Sequence, residues 1–562
     1  MTDPVPQFPD RPPAGLTLWL APGRRVAVFL PVHCGGEAVL RLLQQVIPPG
    51  DGHPLTAADL DPAAWAEVCG GAMQRVLLLR NPVTRALAAR AAEAPGQDLA
   101  AFLATRAPAA QGAWLQPGRP VFDHVLHHEA LADDLAHLYR AVLGVEPPAE
   151  IAPPPAPWEA GLAAALPRIL DLYAQDFARF GYPADPAFRH CPARRLLRPA
   201  ADGAGCRLAF NAAPEPHAPE PPAFHAAWAD LVAHRYKAGQ LAFAAIARQH
   251  PGRAGHRAFD AAAFCKLKSR GDEAGAAAFH DRPSFARFAP GAGQVYRAAG
   301  ALWRGDTEGY WREVARMPGY DAGWFGPWNR GLATRAERQT CARLQTLAAA
   351  EPLPAPSEGP PVVLMAADPV YAERHAERAL STLRDCGADA AVLAVVDPPP
   401  DLMARLEALA TRLGGVDIRA VPALRRDRAW FASLRYLMAP ELMRQTGRAV
   451  FVFDIDVEFR QSPAAFLAAG GHDPGRIGLR ISPRFTYPWQ RITVNCLYLP
   501  ATAAGWRFAR HMALFLRMQF SVPGEDDLWW IDQNAALSAE LAADPGTLGR
   551  LNPAGMLHIP PR

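Results

Sequence analysis

Three proline-dense stretches constrain this chain more than any other feature. EPPAEIAPPPAPWE (146–159), PEPHAPEPP (214–222) and PLPAPSEGPP (352–361) cannot sustain a helix or the interior of a sheet. Proline lacks the donor N–H and fixes its own φ. The first stretch reads as a loop within an N-terminal unit, and the other two read as linkers. They divide 562 residues, too many for one core, into units spanning 1–200, 222–350 and 360–562. The expected fold class is multidomain α/β, with an α/β unit at each end and an all-α helical middle.

Composition narrows the partners. Half of the residues are hydrophobic and 20% are charged, as in an ordinary soluble protein. A formal net charge of +3 on this length gives no electrostatic reason to bind nucleic acid or an anionic membrane. Lysine occurs only at Lys237, Lys266 and Lys268, so arginine-rich stretches carry little meaning by themselves. The eight cysteines show no paired short spacing, which argues against a zinc site or a disulfide framework. The opening MTDPVPQFPDRPPAG lacks the charged-then-apolar order of a signal peptide, and no apolar run reaches the roughly 20 residues that cross a bilayer. The expectation is a cytoplasmic protein with no transmembrane segment.

The C-terminal unit opens with PVVLMAADPVYAERHAERALSTLRDCGADAAVLAVVD. VVLMAA and AAVLAVV have strand length, and the stretch between them has helical spacing, so the order implies a parallel sheet. Further on, GRAVFVFDIDVEF predicts a central strand ending at Asp454. In open α/β sheets ligands bind beyond the carboxyl ends of the strands, so Asp454 and Asp456 emerge where a ligand is expected. Two closely spaced carboxylates suit a hard divalent cation that neutralises a diphosphate leaving group. The pattern alone is weak, since Asp59-Leu60-Asp61 repeats it in what reads as a solvated helix start.

The context of the second copy resembles the GT-A nucleotide-sugar glycosyltransferases over about 200 residues. AADPVYAERHAERALSTLRDCG is similar to their first strand and helix, which implies that Ala366, Asp368 and Tyr371 hold the nucleotide base and ribose. WFASLRYLMAPELMRQTGRAVFVFDIDVEFRQSP resembles the approach to the metal motif and puts Arg435 near the sugar-phosphate. ITVNCLYLPAT resembles the following strand, with Asn495 lining the donor-sugar pocket. GEDDLWWIDQNAAL resembles the late helix that carries Asp-Gln, so Asp532 is the candidate catalytic residue facing the acceptor or sugar hydroxyls. His558 in GMLHIPP is the candidate third metal ligand beside Asp454 and Asp456. The resemblance implies Mn²⁺ or Mg²⁺ and a nucleotide-diphosphate sugar donor, with a glycan, lipid-linked or protein acceptor in bacterial-type glycan assembly.

In the middle unit, Gly239, Gly271 and Gly305 recur at a spacing near that of tetratricopeptide repeats, followed by Pro251, Pro283 and Pro318. Apolar residues at helical spacing lie on both sides of each glycine. Glycine would end a first helix and proline follow a second. Such repeats, or an irregular helical linker, would form a scaffold able to present a protein partner.

At the N-terminus, RRVAVFLPVHCGGEAVLRLLQQV reads as strand, turn and helix, a natural phosphate cradle. MQRVLLLRNPVTRALAARAA repeats the scheme, and VFDHVLHHEALADDLAHLYRAVLG reads as a strand leading to Glu129. In this order the segments resemble a P-loop-like sulfotransferase domain that uses phosphoadenosine phosphosulfate. Gly35, Gly36, Arg80 and Arg85 keep that pattern, while His33, Glu37, Ala38 and Ala88 depart from it. A carboxylate in a phosphate cradle repels the donor, so a degenerate domain kept for binding or architecture is expected, with His33 as general base the active alternative. A bifunctional sulfotransferase/glycosyltransferase and a non-catalytic scaffold therefore stand beside the glycosyltransferase reading.

Overall fold

The computed structural model describes residues 16–21, 26–31, 33–34, 36–46, 53–56, 68, 74–106, 124–143, 145–147, 162–180, 182–188, 221–250, 253–270, 292–316, 338–482, 485, 487–522, 528 and 530–558. Asp59-Leu60-Asp61, Gly35, Gly271 and the prolines Pro251, Pro283 and Pro318 lie outside them. The chain is mixed α/β and separates into two compact units, one mainly 1–219, the other mainly 220–520 with 526–562.

In the first unit, β1 (Leu16–Ala21), β2 (Val26–Pro31), β3 (His53–Thr56), β4 (Gln74–Leu79) and β5 (His124–His127) form a sheet in the order β3-β1-β2-β4-β5. β2, β4 and β5 are parallel, and β1 is antiparallel to both neighbours. VAVFLP is buried throughout because successive side chains point to opposite faces and both faces are covered. Val26, Val28 and Leu30 join one core with Val39 and Leu43 of helix α1 (Gly36–Val46). Ala27 and Phe29 join another with Val83 and Leu87 of helix α2 (Pro82–Glu93).

The second unit contains both the helices that follow residue 220 and the C-terminal sheet. Helices Pro222–Val232, Tyr236–Gln249 and Arg253–Arg270 share a core of Phe224, Leu231, Phe243, Ile246 and Cys265. Gly305, at φ 70°, ends helix Ala292–Trp303, as a left-handed glycine does. Gly239 has a different job from the one its spacing predicted. It lies inside helix Tyr236–Gln249, where a Cβ would meet Cys265 Sγ at 3.2 Å, so it permits close helix packing and ends nothing.

The large sheet has the order β13-β11-β12-β9-β6-β7-β8. Its strands are β6 (Val362–Ala367), β7 (Ala391–Val396), β8 (Val416–Val421), β9 (Val450–Phe453), β11 (Ile477–Ile481), β12 (Ile492–Leu499) and β13 (Leu548–Arg550). β10 (Glu458–Phe459) and β14 (Leu557–His558) form a separate pair. Helices α3 (Pro369–Asp385), Pro400–Leu413 and α4 (Arg428–Thr446) connect β6, β7, β8 and β9, which are mutually parallel. β6 leads outward through β7 to β8, and the chain then returns to place β9 on the other side of β6. The β6/β9 crevice is therefore the topological switch point, where such sheets take ligands. β12 is antiparallel to β9 and β11 antiparallel to β12, so β11 ends at the same edge as β9.

Helix α4 ends at Gly447, whose φ of 64° suits glycine and where a Cβ would meet Ala355 O at 2.5 Å. Ser357 N donates to Gly447 O at 2.8 Å, and Arg448 donates to Pro360 O. The proline-rich segment before β6 forms neither helix nor strand, as its residues require, yet it is fastened to the domain that follows. No described helix is long and apolar enough to cross a membrane.

Candidate functional site

Side-chain alternation sets the faces of the sheet. Phe451, Phe453, Ile455, Cys496 and Tyr498 enter the core beneath α3. Asn495 therefore belongs to the opposite face, which α4 covers with Trp430 and Leu434 against Ala366, Ala394 and Val396. Asp454 reaches that face through Arg435 of α4, and Asp456 follows in the bend beyond β9. β9 pairs Phe453 with Met365 of β6, so Asp454 emerges level with Ala366. Asp454 N donates to Asn495 O at 3.1 Å, extending the β9–β12 ladder one step into the site.

The centre is a bridge of three charges. Arg435, on α4, is only 5% exposed. Its Nη2 lies 2.6 Å from Asp454 Oδ1 and 4.0 Å from Asp532 Oδ2. Its Nε donates to the Tyr436 hydroxyl at 2.9 Å, and that hydroxyl donates to Val494 O. Burial disfavours the charge of Arg435, but Asp454, Tyr436 and Asp532 together hold its pKa above the ordinary value. Burial likewise raises the Tyr436 hydroxyl. It also raises the Asp532 carboxyl, with Arg435 pulling the other way and Asp454 adding to the rise. Arg435 is thus committed to the carboxylates around it.

Asp532 lies in the first turn of helix α6 (Ile531–Ala542), which packs against α5 (Ala503–Phe520). Trp530, immediately before α6, holds φ at 74°, a strained value for a bulky aromatic residue. Asp532 Oδ1 accepts from Gln533 N at 2.9 Å, leaving Oδ2 toward Arg435. Deeper in α6, the Ser538 hydroxyl lies 2.8 Å from His511 Nε2 on α5 and 3.1 Å from Cys341 Sγ on helix Arg338–Ala349. This buried node ties three helices together and fixes the one that carries Asp532.

The remaining candidates lie around this centre. Asp368 caps α3, its Oδ1 accepting from Tyr371 N at 2.8 Å, while Tyr371 is exposed with its ring against His375. Ala366 is buried beneath α4. His558 pairs with Glu458, two residues beyond Asp456, so β10–β14 brings it back to the neighbourhood of the acidic pair. Among the described residues no three His, Cys, Asp or Glu side chains form a metal-binding group. The two half-buried aspartates fit a hard cation as part of a shell, with oxygen as the donor atom throughout.

Arg480, on β11, belongs to this site although no sequence motif singles it out. Its Nη1 donates to Asn495 Oδ1 at 2.9 Å, which puts its guanidinium on the same face as Asp454. An arginine inside the apolar run IGLRI was the available signal.

In the first unit the carboxyl edge is closed on itself. Arg80 donates to Thr84 Oγ1 at 3.2 Å and to His33 O at 3.1 Å. Glu129 accepts from Asn81 N at 2.6 Å and from the Tyr182 hydroxyl at 3.0 Å. Burial raises the Glu129 carboxyl and pushes the Cys34 thiol up to about 12. His33 Nε2 lies 2.6 Å from Glu93 Oε1.

No protein-family model matches the chain, and no curated protein matches it. Solved structures similar to it are glycosyltransferases. The bifunctional glycosyltransferase WbbM shares 12% identity over 33% of this chain and 38% of its own, at a TM-score of 0.25. Mouse xyloside xylosyltransferase 1 shares 9% over 34% of this chain and 85% of its own, at 0.24. Glycosyltransferase GlyE of Streptococcus pneumoniae shares 13% over 35% and 46%, at 0.26. The chain thus spans less than half the length of WbbM and GlyE. Scores of this size leave the assignment to the chemistry of the site itself.

Proposed function

We propose that the chain is a metal-dependent glycosyltransferase of GT-A type that moves a sugar from a nucleotide-diphosphate donor to an acceptor hydroxyl. The observation that carries this reading is the placement of Asp454 and Asp456 at the β6/β9 switch point. There, two half-buried carboxylates follow the end of β9, level with the end of β6 at Ala366 to Asp368.

Bound Mn²⁺ or Mg²⁺ would supply Lewis-acid neutralisation of the diphosphate leaving group. Asp454 and Asp456 would hold it, with phosphate oxygens and water completing the shell; His558, on the neighbouring strand, forms no three-ligand group with them. Arg435 keeps Asp454 in one orientation through the 2.6 Å ion pair. Ala366 and the cap at Asp368 and Tyr371 position the nucleotide. Asn495 lines the sugar pocket, and Asp532 faces the transfer site from the first turn of α6.

The setting we propose is bacterial-type glycan assembly with a glycan, lipid-linked or protein acceptor. The helices from residue 222 would serve as a tetratricopeptide-like scaffold for a partner. The first unit would be a sulfotransferase-type domain kept for binding or architecture, a role favoured by the mutual engagement of Arg80, Thr84 and His33.

The test is a donor screen by nucleotide-sugar hydrolysis with Mn²⁺, comparing wild type with Asp454→Ala/Asp456→Ala. The expected result is cation-dependent hydrolysis of at least one donor in wild type and a loss of at least about 100-fold in the double variant. Equal hydrolysis by the two proteins sinks the reading.

A further inference from the structure

The two arginines of the site are held in contrasting ways. Arg435 is buried and lies within 4.0 Å of two carboxylates. Arg480 is half-buried, and its partner among the described residues is the neutral side chain of Asn495. A guanidinium that is partly withdrawn from water has lost hydration, and one hydrogen bond to an amide oxygen does not replace a counter-charge. Asn495 holds one end of the fork by Nη1, leaving donors of the planar group to address an anion.

Position defines which anion. Asn495 lies on β12, directly beside β9, and Arg480 lies on β11, one strand beyond. Two strand spacings put Arg480 roughly 10 Å from the line of β9, on the side away from β6 and β7. Asn495 joins the two places physically, its carbonyl accepting from Asp454 N and its side chain accepting from Arg480. On the glycosyltransferase reading, with a diphosphate at Asp454 and Asp456 and the sugar at Asn495, Arg480 is the next charged group past it.

We propose that Arg480 is a specificity-determining residue that binds a carboxylate or phosphate on the substrate beyond the reacting carbon. The group belongs either to the transferred sugar, as in a uronosyl donor, or to an acidic acceptor. This rests on the glycosyltransferase reading of the same site. Because binding and turnover are measured separately, the two ideas fail in different ways.

The experiment uses the full chain with Mn²⁺ and compares wild type, Arg480→Met, which keeps much of the packing without the charge, and Arg480→Lys. Calorimetry measures binding of glucuronate and glucose 6-phosphate against glucose, which requires no turnover. One kinetic arm compares UDP-glucuronate with UDP-glucose as donor. The other compares glucose 6-phosphate and glucuronate with glucose as acceptor, using whichever donor is hydrolysed.

Wild type is expected to bind the anionic sugars about tenfold more tightly than glucose. Arg480→Met should erase that preference and Arg480→Lys should keep part of it. A preference in the donor arm assigns the anion to the transferred sugar, and one in the acceptor arm assigns it to the acceptor. An anionic preference missing from wild type, or undiminished in Arg480→Met, overturns the proposal. Loss of all donor hydrolysis with the binding preference intact would strike only the glycosyltransferase reading.

Discussion

The carboxyl edges of the two sheets start from the same local plan, a buried parallel strand that hands its last residues to polar side chains, and they end differently. In the first unit, Arg80 is bonded to Thr84, and Glu129 accepts from both Asn81 N and the Tyr182 hydroxyl. In the second, the Arg435 bridge is equally buried, but Asp456, Asn495 and Arg480 remain half-buried around it. A polar strand end is therefore not a site in itself. It becomes one where polar groups around a buried centre keep part of their surface open to solvent.

The largest expected effect follows from emptying the middle of the second edge. Arg435→Ala leaves Asp454 and the buried Asp532 without their shared counter-charge. It should cost about 3–5 kcal/mol of stability in that unit, read as a shift in denaturant midpoint. Arg435→Ala/Asp532→Ala should recover part of that loss, because it also removes a buried carboxylate. An Arg435→Ala protein as stable as wild type would mean that this edge is no more tightly bridged than an open surface.

On the proposed function, which has Asp532 facing the transfer point and clear of the nucleotide, Asp532→Asn should lower sugar transfer by about tenfold or more while nucleotide binding by calorimetry stays within about twofold. Equal losses in both would place it with the nucleotide.

The node behind Asp532 gives a pH test. Burial lowers the His511 pKa from 6.5 to about 3. Above about pH 6.5 the ring is neutral in both folded and unfolded chains. Below it the unfolded chain takes up a proton that the folded chain refuses until about pH 3, so stability falls across that window. Between pH 6.5 and 4.5 the loss from this residue is roughly 2–3 kcal/mol. His511→Gln should flatten the acid limb of a melting-temperature profile, and an unchanged slope would place the acid sensitivity elsewhere.

The smallest effect belongs to the first edge. Glu129→Gln keeps an acceptor for Asn81 N and relieves a carboxylate whose pKa burial has raised. Stability should stay within about 1 kcal/mol and donor hydrolysis within about twofold. A large loss of hydrolysis would show that the first edge takes part in the chemistry.

Much of this was legible in the residues. VVLMAA, AAVLAVV and AVFVF are strands because continuous apolar runs of that length suit a sheet covered on both faces, and Asp454 ends its strand as that run requires. The glycine periodicity was less reliable. Gly305 and Gly239 look alike in sequence, yet one turns the chain and the other admits a neighbouring helix. Spacing records only that the side chain is missing.

By itself, the sequence determined the strand and helix segments around the site and the acidic pair leaving a buried strand, since both follow from the order of near neighbours. Only the tertiary structure decided that Arg435 is consumed by Asp454 and Asp532, that Asn495 links Asp454 to Arg480, and that Glu129 is closed off. Those pairings join residues on separate elements, and strand order and helix packing bring them within reach of one another.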